Sequence, residues 1–166
     1  MMAKQCRLIL DDTDMIELIG ENLRYLSEIR ARQVTRIAEA GPACANSPEA
    51  VYELLAPEME GLPQEQLRVV LLNTKNQVID TALIYQGQVD NVQVRMAEIF
   101  RPAVIKNALS VILVHNHPTG DPVPSDDDKQ TTQRAKAAGE LLDIKLLDHI
   151  IIGRGRFVSL KRYGVL

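Results

Sequence analysis

Tryptophan is absent from the 166-residue chain, and aromatic residues make up only 4% of it. Few rings are therefore available as stacking platforms for single-stranded nucleic acid. Neither charge dominates. The 19 Lys and Arg against 22 Asp and Glu leave a formal net charge of −3, which argues against non-specific nucleic-acid binding as the main activity. Cysteine occurs twice, as Cys6 and Cys44. Two cysteines build neither a disulfide framework nor a thiolate zinc knuckle, so both are read as thiols outside any disulfide. No apolar run approaches the roughly 18–20 residues of a membrane span. The apolar stretch within Met1–Leu10 is too short for a signal peptide. These absences point to a cytoplasmic protein with no membrane partner. Hydrophobic residues at 46% and charged residues at 25% are those of an ordinary folded globule. A chain of this size buries about 70% of its unfolded surface and needs no staple.

Two regions differ in character. In the first, 1–46, Asp14 to Ala40 reads as one long helix, with Ile16, Ile19, Leu23 and Leu26 at three-four spacing and Gly41-Pro42 as its stop. One amphipathic helix cannot bury its own stripe, so this one is expected to pack on the rest of the chain or to form a homodimer. The second region, 47–166, opens with Ser47-Pro48-Glu49 as the start of a short helix ending near Pro57. Leu67–Asn73 and Val78–Tyr85 read as a strand hairpin around the turn Thr74–Gln77, and Val89–Val94 as an edge strand. Met96–Leu109 reads as a helix in which Pro102 makes a kink or marks the first turns. Ser110–His117 is the clearest strand. A Pro-rich loop, a helix over Asp126–Leu142 and strands over Lys145–Ile152 and Phe157–Leu160 complete the pattern. Alternating helices and strands predict an α/β fold with a central mixed sheet flanked by helices.

The informative constellation is His115-x-His117 followed by Ser125-x-x-Asp128. Side chains alternate along a strand, so the imidazoles of His115 and His117 leave on one face at the strand's C-terminal end, with Asn116 on the other. Imidazole is a common zinc ligand. Asp128, one turn into the next helix, offers a third, carboxylate ligand, and a water in the fourth position would make a catalytic zinc site. Each piece also has an ordinary structural reading. His-x-His on a strand is often a partly buried pair, and Ser125 with Asp128 three residues on resembles a capping box. Asp126 and Asp127 suit a helix N-terminus through the dipole.

The segment HNHPTGDPVPSDDD, His115 to Asp128, resembles the metal motif of JAMM (MPN-type) metalloproteins, and the chain from about Ser47 to Leu166 resembles their RadC-type branch. VVLLNTKNQVI, AEIFRPAVIKNALSVILVHNHP and LLDHIIIGRGRFVSL carry the likeness on either side of the motif. The resemblance implies a deaminase-like α/β architecture and zinc held by His115, His117 and Asp128. It further implies Ser125 near the bound water, donating to a developing oxyanion, and an upstream glutamate as general acid/base. Glu65, just before QLRVVLL, is the first choice for that glutamate, and Glu98 in AEIF the second. The implied activity is peptidase or isopeptidase hydrolysis of a protein or peptide. Thr119 stands where relatives usually have Ser, and Met96-Ala97 where they usually have Pro-Arg.

His149, inside the apolar run LLDHIIIG, reads as a buried, hydrogen-bonded histidine. Arg154, Arg156, Lys161 and Arg162 read as a solvated rim, with a phosphate-binding patch as the minor alternative. Two other functions stay open beside the hydrolase: a non-catalytic zinc-binding interaction module, and an accessory of DNA repair, for which the acidic balance is poor support.

Overall fold

A computed structural model describes residues 43–87 and 94–166. The expected helix over Asp14–Ala40 lies outside the described residues, as does the expected edge strand over Val89–Val94 apart from Val94. Within them the order is α1 (Pro48–Met59), β1 (Glu65–Leu72), β2 (Val78–Gly87), α2 (Met96–Ile105), β3 (Ser110–Asn116), α3 (Asp126–Leu141), β4 (Lys145–Ile152) and β5 (Phe157–Ser159). The strands form one mixed sheet in the order β2-β1-β3-β4-β5. The expected α/β class is the one observed.

The element ends have local causes. Ser47 caps α1 by accepting from the Ala50 N–H at 3.2 Å, with Pro48 in the first turn, where its missing N–H is not needed. The helix runs through Pro57 and stops at Met59, slightly beyond the expected end. α2 is shorter than the predicted Met96–Leu109. Asn107 adopts φ 51°, and the Ala108 N–H turns back to the Ala103 carbonyl at 2.9 Å, closing the helix in a Schellman-type end. Asp143, at φ 54°, ends α3 the same way, with the Ile144 N–H on the Gly139 carbonyl at 2.9 Å. Pro102 lies inside α2, past its first turn, and so leaves the Glu98 carbonyl without its helical donor.

β3 is buried at every position, because it lies in the middle of the sheet between β1 and β4, with α2 and α3 on one face and α1 on the other. That is why its sequence is a continuous apolar run rather than an alternation. Strand parity divides the core. Leu67, Val69, Leu71, Val111 and Leu113 pack with Ile99, Phe100 and Ala103 of α2 and Ala135 of α3. Val70, Leu72, Ile112, Val114, Ile150 and Ile152 pack on the opposite face with Val51, Leu55 and Met59 of α1. His115 continues the row of Val111 and Leu113, and Asn116 continues that of Ile112 and Val114. The histidine row therefore emerges at the end of β3 on the face covered by α2 and α3. The loop after β3 leads into α3, which crosses back to β4 and brings Asp128 over that same end.

Candidate metal centre

Glu65, His115, His117 and Asp128 converge, with one potential ligand atom from each lying within 4.8 Å of every other. Glu65 is the first residue of β1 and shares the side of Leu67, Val69 and Leu71 by parity. Leu67 pairs with His115 across the β1–β3 ladder, so Glu65 reaches the level of His117. Glu98 lies elsewhere, in a groove between α2 and β2 with Leu83 and Arg101, and pairs with Arg95 at 3.5 Å.

Each imidazole is held by its second nitrogen. His117 Nδ1 is 2.7 Å from the Asp121 carbonyl oxygen. A carbonyl only accepts, so His117 carries its hydrogen on Nδ1. His115 Nδ1 is 2.8 Å from His149 Nε2. The two remaining ring nitrogens, both Nε2, face one another at 3.0 Å. Asp128 Oδ1 lies 3.2 Å from His115 Nε2, and Oδ2 lies 3.6 Å from His117 Nε2. Two nitrogen lone pairs and a carboxylate at such range repel unless a cation sits among them, either a proton or a metal ion. This donor set, two imidazoles and a carboxylate with a second carboxylate beside them, suits zinc.

The electrostatics follow from burial and these contacts. Burial alone would raise the Asp128 carboxyl, but its hydrogen bonds with His115 and His117 outweigh it and hold the group well below the usual carboxylate range. The Asp128 hydrogen bond pushes His117 above the ordinary imidazole value. Burial pushes Glu65 up, against the opposing pull of His115 and His117. Burial drives His149 well below the ordinary value, so it is neutral.

Ser125 and Asp128 form a reciprocal capping box. The Asp128 N–H donates to Ser125 Oγ at 3.1 Å, while Asp128 Oδ2 accepts from Ser125 N–H at 2.8 Å and from Ser125 Oγ at 2.6 Å. The two sequence readings of this pair thus describe one arrangement: the cap orients the carboxylate that faces the histidines. An open cleft of about 410 Å³, lined by Glu65, His117, Thr119, Ser125, Asp127 and Asp128 among others, gives access to the cluster.

Two contacts were not legible in advance. Asn116, between the histidines and on the other face, accepts from Gln66 N–H at 2.9 Å and donates to the Gln64 carbonyl at 3.1 Å. Thr132 bonds His149 Nδ1 at 2.6 Å. The apolar run around His149 signalled its burial, but no sequence signal singled out Thr132. Of the basic C-terminal residues, Arg156 pairs with Asp121 at 3.1 Å and Arg162 with Glu49. Among the described residues no helix is long and apolar enough to cross a membrane.

Residues 45–165 match a family described as "RadC-like JAB domain". A "UPF0758 protein" of Chloroflexus aurantiacus is 40% identical over 94% of this chain and 70% of its own length. Another, of Clostridium kluyveri, is 50% identical over 72% of this chain and 53% of its own. A third, of Chloroflexus aggregans, is 48% identical over 95% and 71%.

Proposed function

From the premise that this chain belongs to the RadC-like JAB domain family, we propose that it is a zinc-dependent peptidase or isopeptidase. It hydrolyses an amide bond in a protein or peptide, with His115, His117 and Asp128 holding the metal and Glu65 moving the proton. The observation that carries this reading is the pair of imidazole Nε2 atoms 3.0 Å apart, each with its Nδ1 engaged elsewhere. Zinc bound there would supply Lewis acidity, polarising a substrate carbonyl and lowering the pKa of a water towards about 7.

The chain's own residues do the rest. Glu65 takes a proton as the nucleophile attacks and returns it to the leaving amine, a role that its burial favours by raising the carboxyl towards neutral pH. Asp128 brings a negative charge to the ligand set, and Ser125 aligns it through two hydrogen bonds. Donation from Ser125 to a developing oxyanion would require its hydroxyl to exchange Asp128 for substrate. Glu65 is what distinguishes this reading from a zinc-holding interaction module, which has no use for a carboxylate at that place.

Elemental analysis of the purified protein and of Asp128→Asn tests the metal. About one zinc per chain in the first and a reduced content in the second is the expected result. Cleavage of peptide- and isopeptide-linked fluorogenic substrates, lost in Glu65→Gln, tests the chemistry. Absence of zinc from both proteins after zinc loading and dialysis overturns the reading.

A further inference from the structure

His149 is fully buried and has no part in the reaction proposed above. It stands on β4 opposite Leu113 of β3, on the face that α3 covers. Both of its ring nitrogens are engaged: Nε2 lies 2.8 Å from His115 Nδ1, and Nδ1 lies 2.6 Å from Thr132 Oγ1. The direction of each bond follows from a single hydroxyl proton. Thr132 Oγ1 also lies 2.6 Å from the carbonyl oxygen of Asp128, one turn earlier on α3. That oxygen can only accept, so the Thr132 proton goes to it. The Thr132 oxygen is left to accept from His149 Nδ1–H. Full burial favours the uncharged ring, which carries one hydrogen, so His149 Nε2 is bare and accepts from His115 Nδ1–H. The neutral His115 that a metal ion requires then has its lone pair on Nε2, the atom that faces His117 and Asp128.

We infer that His149 and Thr132 are positioning residues that fix the tautomer and ring orientation of His115, so that its Nε2 lone pair is always the one presented to a metal ion. The inference rests on the reading of His115 and Asp128 as zinc ligands. The bonds run from the end of β3 through β4 to the first turns of α3, returning at the backbone of Asp128. Two ligands from separate elements are thereby tied together behind the site. The acceptor behind His115 is a neutral ring rather than the carboxylate that often supports a metal-bound histidine. A carboxylate there would donate more electron density to the metal, so the neutral partner keeps a bound ion more electrophilic.

The test uses imidazole nitrogen NMR on the metal-free protein, together with zinc affinity by competition with a chromophoric chelator. The wild type is expected to show hydrogen on Nδ1 of both His115 and His149, with His149 Nε2 bare. His149→Leu removes the acceptor. It is expected to abolish the hydrogen-bonded Nδ1–H signature of His115 and weaken zinc binding about 10–100-fold. His149→Gln, whose amide offers one acceptor and one donor, restores most of the affinity. Should His149→Leu fail to fold, Thr132→Val and Thr132→Ser carry the test, the first weakening zinc binding and the second leaving it near wild type. A His149 hydrogen on Nε2 in the wild type overturns the inference. So does zinc affinity in folded His149→Leu, or in Thr132→Val, within about twofold of wild type. If the wild type takes up no zinc, the metal reading falls, while the NMR tautomers still decide whether His149 orients His115.

Discussion

The side-chain amide of Asn116 grips the backbone on both sides of Glu65, accepting from Gln66 N–H at 2.9 Å and donating to the Gln64 carbonyl at 3.1 Å. One buried residue between the two histidines thus fixes the carboxylate opposite them. Asn116→Ala leaves two backbone groups without that partner and is expected to cost about 1–3 kcal/mol of stability. Its hydrolytic rate should fall while its zinc content stays near wild type. Glu65→Gln should lower hydrolysis further, by about 10²–10⁴-fold, again without loss of zinc. Turnover measured beside elemental analysis on both variants checks the separation. Loss of zinc from Glu65→Gln would make Glu65 a ligand rather than a base.

Asp128 caps a helix and faces the histidines at once, and two substitutions separate these roles. Asp128→Asn keeps an oxygen for the Ser125 N–H but removes the charge. The metal-free variant should therefore keep its cap yet lose the contacts of the charged carboxylate with His115 and His117, unfolding at a lower temperature than wild type, while zinc affinity drops. Ser125→Ala costs about 1 kcal/mol through the lost cap but keeps the charge, with the N–H at that position still on Asp128 Oδ2, so its zinc affinity should drop less than that of Asp128→Asn. Chemical denaturation of both metal-free variants, paired with zinc titration, reads the two effects independently.

Gly153, just after β4, has no room for a side chain. A Cβ there would lie 2.5 Å from the Gly120 carbonyl oxygen and 2.6 Å from Pro122 Cδ. Asp121, between those two, supplies the carbonyl that fixes His117. Gly153→Ala should push this loop aside, destabilise the fold by about 1–3 kcal/mol, and weaken zinc binding although it touches no ligand. Unchanged zinc affinity in the folded variant would show that the loop moves without His117.

Glu49 at the start of α1 and Arg162 near the C-terminus are joined through both carboxylate oxygens. The Arg162 guanidinium holds the Glu49 carboxyl down at about 2. A depressed folded-state value means that the pair's contribution is present above the unfolded glutamate range and is lost as pH falls towards about 2. Both side chains are exposed, so salt also screens the contribution. Glu49→Gln should therefore unfold at a slightly lower temperature than wild type at pH 7 in low salt. The difference should shrink in high salt and as the pH approaches 2. Calorimetry across those conditions decides it.

Much of the site was legible because its parts are local. His115 and His117 share a face by parity alone, and Ser125-x-x-Asp128 announces a helix start on chain chemistry that operates within a single turn. The preference for Glu65 over Glu98 came from resemblance, and parity places it with Leu67, Val69 and Leu71 on the histidine side. What sequence did not convey depends on neighbours far apart in the chain. The Asn116 grip exists because β1 lies beside β3, and the Thr132–His149 bond because α3 crosses to the strand parallel to β3. Neither adjacency is written in local periodicity. The early end of α2 is a different case: Asn107 adopts a left-handed backbone more readily than most residues, a stop signal that the expected helix over Met96–Leu109 ran through.

His115, His117, Asp128, Thr132 and His149 all belong to the continuous run β3–α3–β4, whereas Glu65 arrives from the separate hairpin of β1 and β2. In the zinc hydrolase proposed above, the capacity to capture an ion and the capacity to break a bond therefore reside in different stretches of inheritance. A descendant could lose the second by one codon change at position 65 and keep the first intact. On that reading, hydrolase and inert scaffold lie one substitution apart in this chain.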